Sequence, residues 1–417
     1  MIVSVPTNFK VTEIHAPASK SYAQRALFAA CLADTPCLLS NLGNSDDVLH
    51  IKAIIEQLGA ELKPIGNQLS VQPKANDIQR VLDCGESGLG IRLTTSIAAS
   101  FGGTFEIHGK GSLTQRPMQD FEQFLPQLGV HFSSSQGLVP LKISGQLLGG
   151  EVQMDGSLSS QFLSGLLMAL PLSQDNSIIH VNALKSTPYI DMTIDLLKDF
   201  GIEIRHEHYE TFTIKGGQKY KAPVNYSVEG DWSGAAFWIV YGAIANPILI
   251  KGLNQKSSQA DRAIMEVLKQ TGARFSWKNG DLAIQPSVLN PFNFDATHCP
   301  DLFPILATLA AAIEGTSIIK GVGRLKFKES DRATAIQQEF FKLGLEIEIQ
   351  EDTMLIKGTG LLKGGLVSSR NDHRMAMSLA IASSISESEI TITEAKSVNK
   401  SYPEFWEICP NKKQLSE

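Results

Sequence analysis

Five glycines recur along this 417-residue chain at almost equal intervals. They lie in Leu58-Gly59-Ala60-Glu61-Leu62, Leu128-Gly129-Val130, Phe200-Gly201-Ile202-Glu203-Ile204, Thr271-Gly272-Ala273-Arg274-Phe275 and Leu343-Gly344-Leu345-Glu346-Ile347, 70 to 72 residues apart. A glycine just past a helix takes the left-handed backbone at low cost, and the apolar alternation that follows has the period of a strand. One such glycine says little, but five at a nearly constant interval mean a repeated fold unit.

The content between the glycines repeats as well. A polar loop opens an apolar helix rich in small residues, such as Ala26–Ala30 or Phe162–Met168. A β-branched strand follows, as in Ser177–Val181 or Thr316–Ile319, then a charged loop and a more polar second helix closed by the glycine. The pattern predicts an α/β fold of six βαβαββ units. The small residues of each first helix suit a buried position and the charges of each second helix a partly exposed one. The sixth unit begins at Ser369-Arg370-Asn371-Asp372-His373-Arg374, with a helix over Met375–Ser384 and a strand over Glu389–Ile392, and its closing glycine falls due near residue 415. Its missing strand could come from Ile2–Val11, which would bring both chain ends into one domain. The expected division is 1–17 with 230–417 as one lobe and 18–229 as an inserted one, with crossings near Pro17-Ala18 and Tyr226–Gly230.

A chain of this length exceeds one ordinary hydrophobic core. Its apolar share of 43% and charged share of 19% are those of a soluble globular protein. The net charge of −6 disfavours broad, charge-driven nucleic-acid binding, so an anionic substrate needs a local cluster of cations. Cys31, Cys37, Cys84, Cys299 and Cys409 are odd in number and scattered, which argues for reduced thiols rather than disulfides or structural zinc. The first residues do not have the layout of a signal peptide, and the apolar run Phe303–Ile313 is too short to span a bilayer. A cytoplasmic location is expected. His206-Glu207-His208 would place two imidazoles on one strand face without an evident third ligand, so no metal is expected, and no cofactor motif is visible.

The loops that open the helices carry the candidate chemistry. Ala18–Arg25 joins hydroxyls that could cap a helix (Ser19, Ser21) to two cations, Lys20 and Arg25, at the positive helix end. Gly85-Glu86-Ser87-Gly88-Leu89-Gly90-Ile91-Arg92 lets backbone amides approach a ligand, but it lacks both P-loop and dinucleotide spacing. Thr114-Gln115-Arg116-Pro117-Met118 puts Arg116 at the expected start of a second helix with Pro117 at its first position. Ser159, Ser160 and Gln161 offer hydroxyls and an amide, and Ser186 and Tyr189 stand at the next helix start. Asp301, Lys328, Glu329 and Arg332 supply carboxylates and cations, and Arg374 and Lys400 complete the positive set. Converging, these eight cations would be enough for two phosphates and a carboxylate or two.

Ser19-Lys20-Ser21 with Arg25, Gly85–Arg92, Arg116-Pro117-Met118, Ser159–Leu163, Pro188–Asp191, Glu229-Gly230-Asp231, Lys328–Arg332 and Asn371–Met377 come in the order of the enolpyruvyl transferase family's motifs. The chain resembles that family over essentially its whole length, specifically its 5-enolpyruvylshikimate-3-phosphate synthase branch. The resemblance implies two lobes of three units each, helices inside and sheets outside, with the active site in the cleft between them. It implies transfer of the enolpyruvyl group of phosphoenolpyruvate to the 5-hydroxyl of shikimate 3-phosphate, with no cofactor, by a monomer. Positions matching the family's shikimate 3-phosphate ligands are Lys20, Ser21, Arg25, Ser159, Ser160, Gln161, Ser186, Tyr189, Asp301 and Lys328. Those matching its phosphoenolpyruvate ligands are Lys20, Gly88, Arg92, Arg116, Gln161, Arg332, Arg374 and Lys400. Asp301, Glu329 and Lys20 match its acid–base groups. Departures fall at Glu86, Leu89 and Leu93, where the family usually has Asn, Thr and Pro, and at Arg324, in place of a common Asn. The sister enzyme acting on a UDP-sugar typically has a cysteine in the loop matching Gly111–Arg116 and a Lys-Asn pair at the first helix. Here that loop has no cysteine and Lys20 precedes Ser21. A catalytically silent homologue would have no need of Asp301, Glu329 and the full cation set.

Overall fold

The computed structural model describes residues 1–73, 78–326 and 328–414. The position near 415, where a sixth closing glycine falls due, lies outside them. The chain folds as two compact units, one continuous, Ala18–Val228, and one split, Met1–Pro17 with Glu229–Glu417.

The continuous unit contains helices α1 (Lys20–Cys31), α2 (Asp46–Gln57), α3 (Gly88–Ser100), α4 (Phe121–Phe124), α5 (Ser160–Ala169) and α6 (Pro188–Asp199). The split unit contains α7 (Trp232–Ile244), α8 (Ile264–Thr271), α9 (Phe303–Ala311), α10 (Arg332–Lys342), α11 (His373–Ala382) and α12 (Phe405–Ile408). The first helices of the repeats (α1, α3, α5, α7, α9, α11) are buried along most of their length, down to the small residues that let them pack closely. Strands such as Glu151–Asp155 alternate exposed and buried residues, so their sheets cover this helical core on one face.

Each intact repeat builds the same four-stranded sheet. In the second, Val81–Asp83 runs parallel to Gly103–His108, which pairs antiparallel with Leu138–Gly145, itself antiparallel to Val130–Ser135. The other sheets are completed from afar. Asn225–Ser227 lies parallel to Cys37–Ser40 and supplies the first strand of repeat one. Glu13–His15 does the same for Ile248–Lys251 in repeat four. Ile2–Val5 pairs antiparallel with both Ile390–Thr393 and Lys412–Gln414, closing the sixth repeat.

The five repeat glycines all have positive φ, between 76° and 100°. A side chain there would strain each helix-to-strand turn, which is why this feature survives when the sequences around it differ.

Three local expectations need correction. The second helix of repeat two does not start at Pro117: a 3-10 turn, Gly111–Gln115, precedes an extended Arg116, and α4 covers only Phe121–Phe124. Pro117 biases Arg116 away from helical backbone, and Pro126 ends α4 by starting a separate 3-10 turn. Neither Ser19 nor Ser21 caps α1: Ser19 occupies the N-cap position without a side-chain capping bond. The strand after Gly201 begins at Ile204 and stops at Glu207, and His208 turns at φ 50°. His206 and His208 therefore do not share a strand face. His206 instead stacks on Tyr209, ring centroids 4.4 Å apart. All five cysteines are free, and α9 is the buried helix expected of the Phe303–Ile313 run.

Candidate active site

In the continuous unit the expected residues form one linked set across the starts of α1, α3, α5 and α6. Arg25 is 1% exposed, and its side chain donates from Nε to Thr193 Oγ1 (2.8 Å), from Nη1 to Ser21 O (2.9 Å) and from Nη2 to Ser164 Oγ (3.3 Å) and Tyr189 O (3.4 Å). Every one of these partners is neutral. Burial pushes its pKa down to about 10, with only weak compensation from Tyr22 and Tyr189. A buried guanidinium held by neutral acceptors is stabilised strongly by an incoming anion. Tyr189, in the first turn of α6, donates its amide to the carbonyl of Ser186 (3.1 Å), which is 4% exposed and at φ 57°, and Pro188 fills the first helical position.

Arg92 donates from Nη1 to Gln161 Oε1 (2.9 Å) and Gly88 O (3.0 Å) and from Nη2 to Pro117 O (3.1 Å), over the ring of Phe162. This ties α3 to α5, whose N-cap Ser159 accepts from the Gln161 amide at 3.3 Å and whose first residue is Ser160. Arg116 lies directly on Gly88, where any Cβ would overlap its guanidinium. Gln24 of α1 accepts from Ser87 Oγ at 2.9 Å, joining the glycine-rich loop to the first helix. Lys20, at the first position of α1, pairs with Asp47 at 2.9 Å. Asp47 is a partner the sequence did not single out, because a carboxylate in a first turn reads as dipole compensation.

Glu86, a carboxylate in an anion-seeking loop, does not oppose the cations. Its Oε2 accepts from the amide (3.0 Å) and hydroxyl (3.1 Å) of Ser112, clasping the 3-10 turn that leads to Arg116.

In the split unit the charges interlock. Asp301, in the 3-10 turn before α9, accepts through Oδ1 from Arg332 Nη1 (2.6 Å) and Lys328 Nζ (3.2 Å), and through Oδ2 from Arg374 Nη2 (2.9 Å). Burial would raise its pKa, but Arg374, Lys328 and Arg332 overcome that and hold it well below the usual carboxylate range. The same burial lowers the pKa of Lys328 despite Asp301 beside it. Arg332 is fully buried and also binds Glu329 Oε2 and Asp372, the latter from Nε at 2.7 Å. Asp372 serves double duty, since it caps α11 by accepting from the Arg374 amide at 2.9 Å. Lys400 donates to Asn371 O, just ahead of α11, at 3.1 Å.

Asp372 and Asp261 join this cluster without a local signal in the sequence. The first lies inside the Asn371–Met377 motif, where an acid before a helix reads as a cap; the second is an isolated acid in Gln259-Ala260-Asp261.

Two repeated-unit bodies with cation-rich helix starts define the enolpyruvyl transferase fold, and solved structures match it. An EPSP synthase from Acinetobacter baumannii superposes with a TM-score of 0.82 at 25% identity, covering 98% of this chain and 97% of that one. The enolpyruvyl transferase NikO from Streptomyces tendae shares the fold at 18% identity and a TM-score of 0.77, over 98% and 96% of the two chains. Proteins named 3-phosphoshikimate 1-carboxyvinyltransferase are 38% identical in Clostridium beijerinckii (96% of this chain, 94% of that one) and 40% in Clostridium perfringens (94% and 93%). The family model for EPSP synthase, 3-phosphoshikimate 1-carboxyvinyltransferase, matches residues 8–409, and the chain belongs to that family. No helix among the described residues is long and apolar enough to cross a membrane.

Proposed function

We propose that this protein transfers the enolpyruvyl group of phosphoenolpyruvate to the 5-hydroxyl of shikimate 3-phosphate and releases phosphate. The observation that carries this reading is Arg25, a buried cation whose hydrogen-bond partners are all neutral, among them the carbonyls of Ser21 and Tyr189. A phosphomonoester on a polyol is the ligand such a pocket suits, because one group takes the charge and hydroxyls take the ring. In this reading Lys20, Ser21, Arg25, Ser159, Ser160, Gln161, Ser186, Tyr189, Asp301 and Lys328 hold shikimate 3-phosphate. Lys20, Gly88, Arg92, Arg116, Gln161, Arg332, Arg374 and Lys400 hold phosphoenolpyruvate. The partners are these two small anions, in a cytoplasmic monomer that engages neither nucleic acid nor membrane.

The bond from the 5-oxygen to C2 forms as the 5-hydroxyl loses its proton and C3 gains one. Phosphate then leaves from C2 with its bridging oxygen, and C3 returns a proton. Asp301 takes the hydroxyl proton and later acts at the methyl group, Glu329 protonates C3, and Lys20 assists at the bridging oxygen. Asp301 as it stands is a weak base, because three cations stabilise its ionised form. Substrate anions that share Lys328, Arg332 and Arg374 weaken that hold and raise its basicity. The substrates thus prepare their own base.

Mixing the protein with both substrates releases phosphate, and neither substrate alone does. Phosphate release with a UDP-sugar in place of shikimate 3-phosphate, or none with either acceptor, would overturn the reading.

A further inference from the structure

Asp261 lies in the 3-10 turn Ala260–Ala263 and is 1% exposed. Its Oδ2 accepts a hydrogen bond from Ser233 in the first turn of α7 and forms an ion pair with Arg374 Nη1 at 3.8 Å, too long for a hydrogen bond. Its Oδ1 is buried without a hydrogen-bond partner among the described residues. The other terminal nitrogen of the same guanidinium, Nη2, donates to Asp301 at 2.9 Å. One buried arginine thus faces two carboxyl groups, one bonded and one only near.

An ionised carboxylate with a dry, unpaired oxygen is costly, and a proton on that oxygen removes the cost. The groups facing Asp261 are Arg374 from α11, Asp301 from the turn before α9, and Ser233 and Asp231 at the start of α7, with the Cys299 thiol also within its field. Burial raises its pKa most, Arg374 opposes this, and Asp301 adds to it, leaving the group at about 7. Asp301, held by three cations, stays ionised. The proton of this pair therefore resides on Asp261.

We propose that Asp261 is a positioning residue for Arg374, and that its proton sets how strongly that guanidinium attracts an anionic substrate. Protonated, Asp261 adds no negative charge to that of Asp301 at Arg374. Ionised, it sets a second negative charge against the same guanidinium and weakens its hold on an anion. Reciprocally, an anion bound at Arg374 takes up the positive charge that stabilises ionised Asp261 and so promotes proton uptake there. The inference rests on the reading of Arg374 as part of the phosphoenolpyruvate set.

The test is the KM for phosphoenolpyruvate at saturating shikimate 3-phosphate, from about pH 6 to about pH 8.5, in the wild type and in Asp261→Asn. The ligand's own ionisation cancels in the ratio of the two. The wild-type KM divided by that of the variant is near one at the acid end and rises roughly five- to tenfold at the alkaline end. A ratio flat with pH overturns the proposal. Ser233→Ala supplies an independent check, because losing a donor to the carboxylate raises the pKa of Asp261 and moves the rise to higher pH. An unmoved rise, or one moved to lower pH, also overturns it. A wild type that releases no phosphate at any pH defeats the functional reading itself, whereas normal turnover with a flat ratio defeats only the role of Asp261.

Discussion

Asp301 Oδ2 accepts from Arg374 Nη2 at 2.9 Å, linking the turn before α9 to the first turn of α11. The same carboxylate binds Arg332 and Lys328 through Oδ1, so it is at once the candidate base and the centre of a charge cluster. Asp301→Asn keeps the shape and removes the charge. Turnover should fall by roughly 10²- to 10⁴-fold, the usual worth of a positioned acid–base group. Binding of shikimate 3-phosphate should remain measurable by calorimetry. Near-normal turnover would remove Asp301 from the chemistry.

Arg25 has the opposite character, a buried charge that no carboxylate hydrogen-bonds. Its lowered pKa means that the charged form costs folding free energy at every pH below about 10. Arg25→Met should therefore leave the ligand-free melting temperature nearly unchanged or higher, since Thr193 and Ser164 remain bonded to each other at 3.1 Å. It should weaken shikimate 3-phosphate by roughly 10- to 100-fold, the range of a charge-assisted hydrogen bond. Melting curves with and without that ligand read both effects. A large loss of stability with unchanged affinity would make Arg25 a structural residue.

Glu86 acts through the turn it clasps. Glu86→Ala removes both acceptor contacts to Ser112 and loosens the segment that lays Arg116 on Gly88. The KM for phosphoenolpyruvate should rise about three- to tenfold, in keeping with about 0.5 kcal/mol for each of the two lost hydrogen bonds, with kcat changed less. Glu86→Gln, which keeps one acceptor oxygen, should fall between the two. Equal effects of both variants would show that the charge, not the clasp, matters.

Stability should also depend on pH through Asp261. Its folded pKa of about 7 is raised above the unfolded value, so the folded state binds the extra proton between about pH 4 and 7. Stability from this group therefore falls as pH rises through that window, by on the order of 1.4 kcal/mol per pH unit at most. The wild-type melting temperature should decline from pH 5 to 7 relative to Asp261→Asn, taken as about those values. Parallel curves for the two proteins would contradict the raised pKa.

The repeat was legible because each closing glycine answers a local demand, a left-handed backbone that other residues adopt at a cost. The borrowed strand Ile2–Val5 followed from counting what the sixth repeat lacked. Repeat two departs at α4: Pro117, which suits a first helical position, instead follows an extended Arg116, and Pro126 cuts the helix short. The cationic residues stood out because several cations at helix starts are unusual in a chain of net charge −6. Their carboxylate partners Asp47, Asp261 and Asp372 did not, since an acid at a helix start or in a polar turn is indistinguishable from a cap. Pairing across 27 residues for Lys20 with Asp47, or 113 for Asp261 with Arg374, is a property of the fold and not of any local motif.

In the proposed reaction C2 of phosphoenolpyruvate is attacked and phosphate departs with the bridging oxygen. Phosphoenolpyruvate labelled with oxygen-18 at that bridge, incubated with shikimate 3-phosphate and the protein, tests it by mass spectrometry of both products. Labelled phosphate and an unlabelled enolpyruvyl ether of shikimate 3-phosphate are expected. Unlabelled phosphate, with the label left on the three-carbon product, would mean cleavage at phosphorus and would contradict it.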